Sequence, residues 1–131
     1  MGIEKDLEII NNYPDLFGEP PFNPRDSLIA FGLEIGDGWH ALLIRTLDKI
    51  REELKKNPIE YFRIIQVKEK FAGLRIYADY ANNVIDDIID KAEIESMHIC
   101  DVCGESGKVR NNGWLTVRCE KHIKGRTKDD E

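Results

Sequence analysis

All three cysteines of this chain lie in one stretch, and a histidine closes it. The stretch reads C-D-V-C-G, then a basic segment, then C-E-K-H. Cys100, Cys103, Cys119 and His122 thus form a C-x2-C-x15-C-x2-H pattern. Thiolates and imidazole are soft or borderline donors, and four of them at this spacing suit a tetrahedral zinc ion. Each x2 pair wraps one side of the metal, and the intervening segment must fold back to bring the second pair round. A full set of four protein ligands leaves no open coordination position, so the expected zinc is structural rather than catalytic. His98 is a substitute ligand by type. Its other reading is the end of a helix, where a cation suits the dipole.

The elements that must position these ligands can be read from pattern. Residues 109–111 and 114–118 flank Asn112-Gly113, a two-residue hairpin signal that joins the two halves of the site. The chain reaches Cys100 from a helix expected over residues 84–97. Asn82 or Asn83 caps that helix, Asp86 and Asp87 suit its positive end, and Val84, Ile85, Ile88, Ile89 and Ala92 form its buried stripe. A longer helix is expected over residues 38–56, with Asp37 as N-cap. Trp39, Leu42, Leu43, Thr46, Leu47, Ile50 and Leu54 supply its apolar face.

Three strands are expected over residues 28–35, 61–68 and 74–80. Between the last two, E-K-F-A-G makes a turn in which Gly73 takes positive φ. Period-two geometry puts Ile65 and Val67 on the side of Leu74, Ile76 and Ala78, and Gln66, Lys68, Arg75 and Tyr77 on the other, with Phe62 and Ile64 near that second face. A short helix over residues 3–12 stops at Tyr13-Pro14. A proline-bearing arm, pinned by Leu16, Phe17 and Phe22, then runs to Ser27. The expected fold is α+β: a small three-stranded, mainly antiparallel sheet packed by two helices, with a C-terminal zinc-ribbon-like hairpin. Residues 1–97 form the α/β body with its N-terminal helix and arm, residues 98–123 the ribbon-like module, and residues 124–131 a frayed tail.

Length and composition set bounds. A chain of 131 residues with 41% hydrophobic residues suits one domain with a modest core. The net charge of −6 argues against a general nucleic-acid coat protein. Cysteines committed to one metal-type cluster leave none for a disulfide framework, which points to a reducing cytoplasm. The start, M-G-I-E-K-D, has no apolar run of a signal peptide, and Asp6 stands where a myristoylation signal wants Ser or Thr. No apolar stretch approaches the roughly 20 residues needed to span a bilayer.

Three stretches together, F-G-L-E-I-G-D-G-W, Q-V-K-E-K-F-A-G-L-R-I-Y and the C-D-V-C-G…C-E-K-H end, resemble a family of small uncharacterised proteins encoded by phages and prophages. The likeness covers roughly residues 13–122, and its middle motif is the distinctive part. Members of that family often carry Gly where this chain has Ala72. The resemblance implies phage origin, action in the bacterial cytoplasm and a metal-binding tail, and it brings no activity.

Several surfaces compete for a role. The stripe Gln66, Lys68, Arg75 and Tyr77 is the best candidate binding surface: Lys and Arg grip a phosphate or carboxylate, and Tyr77 stacks or hydrogen-bonds. Its plain alternative is the wet face of a half-covered sheet. The G-D-G-W turn offers backbone N–H groups to an anion, but it lacks the longer glycine fingerprint and Asp37 repels phosphate. His40 has no nucleophile placed beside it in sequence. Residues 108–128 hold seven Lys and Arg against one Glu, which invites a nucleic-acid reading, although Trp114 is the only stacking aromatic there. The leading expectation is a non-enzymatic zinc-binding protein of phage type that binds a host or phage protein, as an inhibitor of a host process or defence. A binder of nucleotide-like anions and a nucleic-acid-associated zinc protein are the alternatives, and no membrane partner is expected.

Overall fold

The computed structural model describes residues 2–111 and 113–126. Among these residues, four α-helices and two separate antiparallel hairpins make up the architecture. Helix α1 spans Gly2–Asn12 and α2 spans Pro14–Phe17, so a helical turn opens the expected proline-bearing arm, with Pro14 at its first position where a missing N–H costs nothing. Helix α3 spans His40–Lys56 and α4 spans Asn83–Ser96. Strands β1 (Arg63–Lys70) and β2 (Gly73–Asp79) form the first hairpin; β3 (Lys108–Asn111) and β4 (Leu115–Arg118) form the second. No helix among the described residues is long and apolar enough to cross a membrane.

The first sheet has two strands, not the three expected. Leu28–Phe31 is a 3-10 turn. The Ser27 hydroxyl accepts the Ile29 N–H at 3.2 Å, and Gly32, at φ +84°, ends the turn by donating its N–H to Ile29 O. A serine cap and a left-handed glycine outrank the apolar alternation between them. Only Glu34 then reaches the sheet edge, in a parallel bridge to Lys68. Its N–H donates to Val67 O and its carbonyl accepts from Glu69 N.

The β1–β2 register corrects the faces as well. Ile64 pairs with Ala78 and Gln66 with Tyr77, which leaves Ile65 as the extra residue of a β-bulge. Strict alternation from Val67 would turn Ile65 inward. The bulge shifts the phase by one, so Ile64 enters the core at 0% exposure and Ile65 is only half-buried. Phe62, expected near the wet face, is buried too. The turn is Phe71-Ala72, with Lys70 opposite Gly73, and both turn residues have positive φ (53° and 71°). The expectation of positive φ at Gly73 fails because a two-residue hairpin loop twists at its two central positions, and Gly73 is already in the strand.

The core lies between α3, α4 and the inner face of β1–β2. Trp39, Leu43, Leu47, Ile50, Ile64, Val67, Leu74 and Ile85 are its largest members there, with Leu16 and Phe17 closing one end. Each such side chain, fully buried, contributes about 1.5–3 kcal/mol. Helix α4 begins where the Asn82 side chain accepts the Ile85 N–H at 2.8 Å. Of its expected stripe, Ile85 and Ala92 are buried and Ile88 and Ile89 pack against the core; Val84 is exposed instead, and Ser96 joins the buried face, its hydroxyl accepting the Leu74 N–H. The α3 stripe follows the expected spacing, with Leu54 partly buried and Glu53 added to it. Glu53 accepts from the amides of both Asn57 and Asn82, which ties the end of α3 to the start of α4.

Candidate metal centre

Two short turns build the site. The first begins at Cys100, where the chain leaves α4, and bends so that Gly104, at φ +85°, donates its N–H to Cys100 O. The second follows β4, where His122 donates its N–H to Cys119 O, and the 3-10 segment Glu120–Arg126 kinks at His122. The β3–β4 hairpin folds the chain back between them. Its loop is one residue longer than the expected two-residue turn: Asn111 pairs with Leu115, which frees Trp114 from the strand and leaves it exposed. Gly113 takes φ +110°, and Asn112 lies outside the described residues.

Cys100, Cys103, Cys119 and His122 come together, with all four donor atoms within 4.8 Å of one another, and can bind a metal ion. The Cys100 Sγ–His122 Nδ1 and Cys103 Sγ–Cys119 Sγ distances are 3.6 Å, and Cys119 Sγ–His122 Nδ1 is 3.2 Å. Metal–sulfur and metal–nitrogen bonds of about 2.3 and 2.0–2.1 Å place tetrahedral donors about 3.5–3.8 Å apart, close to these edges. Cys100 is fully buried and Cys119 nearly so, whereas Cys103 is exposed. Burial opposes the Cys100 thiolate, yet backbone N–H groups of Cys119, Cys103 and Val102 aimed at the sulfur outweigh it, and the thiol lies at about 6. At Cys103 the Glu105 N–H favours the thiolate, but desolvation and the neighbouring sulfurs of Cys119 and Cys100 together raise its pKa. His98 is exposed and stands outside the donor cluster.

The G-D-G-W stretch is where this knuckle meets the body. Gly38 donates its N–H to Asp101 O at 3.0 Å, and the Trp39 indole donates to Ile99 O at 2.9 Å. A Cβ on Gly36 would lie 2.1 Å from Asp101 O, and one on Gly38 would lie 2.1 Å from Cys100 O. Both glycines are therefore needed for backbone to press on backbone. The N–H of Gly38, which an anion cradle would need, is already engaged. Asp37 does not cap α3. It opens a 3-10 turn, Asp37–Trp39, and its carboxylate lies 3.8 Å from His40 Nε2. His40 is buried, with Asp6 of α1 at 3.2 Å. Burial raises the Asp6 carboxyl, against the pull of His40.

A buried ion pair seals the other side of the knuckle. Arg118 Nε meets Asp101 Oδ1 at 2.6 Å, with side chains only 6% and 10% exposed. Arg118 also donates to His122 O, and its own carbonyl accepts from Arg110. Val117, between these residues and the body, is buried in the same core as α3 and β1. No pattern singled out Asp101 or the two glycines as partners.

The basic run is accordingly less open than its composition. Arg118 is buried, Arg110 lies 3.6 Å from Glu120, and Lys121 lies 3.8 Å from Glu105. Lys128 and the rest of the expected frayed tail from residue 127 lie outside the described residues, while 124–126 continue the short 3-10 segment. On the β1–β2 face, Gln66 opposes Tyr77 and Lys68 opposes Arg75, so the four candidate residues form two cross-strand pairs. Gln66 donates to Glu34 at 3.2 Å, and Arg75 lies 3.5 Å from Glu93.

Comparison with known proteins adds no relative: no protein-family model, curated protein or solved structure gives a significant match to this chain.

Proposed function

We propose that the chain is a zinc-stapled, non-enzymatic binding protein of phage type, acting in the bacterial cytoplasm by occupying a host or phage protein and so inhibiting a host process or defence. One observation carries the zinc and its role. Three thiols and an imidazole converge, their donor atoms within 4.8 Å of one another, on a knuckle pressed, backbone to backbone, against Gly36 and Gly38. A borderline-soft donor set of this kind favours zinc, and a filled set leaves the ion to hold structure rather than to activate water. The phage assignment rests on the three sequence motifs. The protein partner is favoured over a nucleotide-like anion because Arg75 and Gln66 already engage carboxylates, so an anion on that stripe has to displace Glu93 and Glu34.

Metal analysis of freshly purified protein tests the staple: one zinc per chain is expected, and none overturns it. Affinity capture from bacterial lysate with mass spectrometry tests the partner, alongside a thermal-shift screen with nucleotides. A specific protein retained without any nucleotide shift is the expected result. A nucleotide shift lost in Lys68→Ala, with nothing captured, replaces this reading by the small-ligand one.

A further inference from the structure

The open end of the β1–β2 hairpin carries an aromatic and acidic groove far in sequence from the metal centre. Tyr61, just before β1, and Tyr80, just after β2, are 69% and 70% exposed, with ring centroids 6.3 Å apart and planes tilted by 54°. Contiguous exposed apolar surface is where interaction sites are found. With Glu60, Phe62, Arg63 and Asp79 they line an open groove of about 530 Å³. Glu60 and Asp79 are exposed and, among the described residues, form no ion pair or side-chain hydrogen bond. Arg63, the one cation of the groove, is drawn aside: its side chain rests against Gly18, where a Cβ would meet Arg63 Cδ at 3.4 Å. The groove therefore offers two tyrosine faces and two free carboxylates.

The same molecule shows what such a combination holds. At the junction of α1, α2 and α3, the Arg51 guanidinium lies 4.3 Å from the centroid of the Tyr13 ring. It gives two hydrogen bonds to Asp15, of 2.8 and 2.7 Å. A planar cation takes the negative face of a tyrosine and the fork of a carboxylate together, which an ammonium does less well. At Tyr13 the chain supplies its own arginine. At Tyr61 and Tyr80, among the described residues, no arginine stacks on either ring.

We propose that the Tyr61–Tyr80 groove is the surface on which this protein receives an arginine-bearing segment of its protein partner, the guanidinium stacked on a tyrosine and paired with Glu60 or Asp79. The proposal rests on the protein-partner reading above and gives it a location and a chemistry. Charge complementarity sets the orientation. The chain is acidic overall and the groove has two carboxylates against one diverted arginine, so a basic segment is attracted and an acidic one repelled.

The test uses the zinc-loaded full chain and a short acetylated, amidated peptide holding two arginines, with the citrulline peptide of the same shape as control. Amide-resolved NMR titration is expected to move residues 60–63 and 79–80, with the citrulline peptide binding at least about tenfold more weakly, the discrimination about 1.4 kcal/mol confers. Tyr61→Ala combined with Tyr80→Asn abolishes the shifts, and Glu60→Gln with Asp79→Asn reduces them without touching the rings. Shifts scattered over the acidic surface, or retained in both double variants, overturn the site. Lysate capture separates this failure from the broader one. A partner held equally by wild type and by the tyrosine variant keeps the partner reading and removes the groove. Peptide binding at the groove, with no protein captured, does the reverse.

Discussion

The two hairpins of this protein are built from similar local chemistry and held by different forces. The β1–β2 hairpin places one face on α4 and α2, and Ile64, Val67, Leu74 and Ile76 are buried there. The β3–β4 hairpin is four residues a side, and it buries Thr116, Val117 and Arg118 while Val109 and Trp114 stay exposed. A two-stranded ribbon of that length is not stable in water by itself. Its fixed points are instead the four donor side chains at its base, the Asp101–Arg118 pair and the backbone contact with Gly36 and Gly38. One hairpin is a hydrophobic element that uses hydrogen bonds to choose register. The other buries little beyond Val117 and Leu115, and converging donor side chains, an ion pair and a backbone contact hold its base.

Metal removal breaks this comparison most sharply. Structural zinc contributes apparent free energies of about 10–16 kcal/mol near neutral pH. Chelation is expected to abolish amide-exchange protection over residues 98–122 and at the Gly38 N–H, while β1, β2 and α3 keep theirs. Cys103→Ser should reproduce the pattern, and because Cys103 is exposed, its loss reports ligation and not packing. Simultaneous loss of protection throughout would show that the body depends on the metal as well, and the contrast between the hairpins would fall.

The next effect belongs to the ion pair. Removing one member of a buried pair strands the other charge and costs about 3–5 kcal/mol. Arg118→Ala should therefore lower the denaturant midpoint of the zinc-loaded protein far more than Arg110→Ala, whose partner Glu120 is exposed. Equal effects would mean that Asp101 is solvated in solution. A smaller and more selective loss is expected from Gly38→Ala. Its new Cβ collides with Cys100 O and with the Gly104 N, groups on rigid backbone, at a cost of about 1–3 kcal/mol or more. Gly38 has ordinary backbone torsions, so the penalty comes from contact alone. Zinc affinity measured by chelator competition should fall together with stability, since the knuckle would have to retreat from the body.

The same contrast explains which features were legible in the sequence. The convergence of Cys100, Cys103, Cys119 and His122 was readable because two short x2 pairs of metal-type donors, joined by a hairpin, fold onto one point whatever the rest of the fold does. Helices α3 and α4 were readable from apolar period and, at Asn82, from a cap. The strand expected over residues 28–35 was not, because Ser27 and Gly32 act locally and a pattern of alternating apolar residues is blind to them. The bulge at Ile65 was hidden for a related reason: one extra residue inverts the assignments on one side of it, here Phe62 and Ile64, while composition stays unchanged. The docking of G-D-G-W on the knuckle is a contact between two backbones, and glycine advertises closeness without naming the partner. The Tyr61–Tyr80 pair falls at strand ends, where neither periodicity nor motif applies.

The finest comparison is between the two hairpin loops. In β3–β4 the positive φ falls on Gly113, with open space around it, and is unstrained. In β1–β2 it falls on Phe71 and Ala72, side chains for which the left-handed region costs about 1–2 kcal/mol. Burial of the hydrophobic hairpin offsets that strain; the β3–β4 hairpin has little burial with which to do so. Phe71 is exposed, so replacing it removes almost no core contact beyond the edge of Lys70, whose ammonium lies 5.8 Å from the ring centroid. Asparagine tolerates positive φ and suits the first position of a two-residue loop. Phe71→Asn is therefore expected to stabilise the protein by about 0.5 kcal/mol, the relieved strain less the lost cation–π contact. The gain should appear as a raised denaturant midpoint at unchanged slope, and it should persist after chelation, because it belongs to the hairpin that does not need the metal. A gain that disappears with the zinc would tie the turn at Phe71 to the knuckle and unite the two hairpins into one cooperative unit.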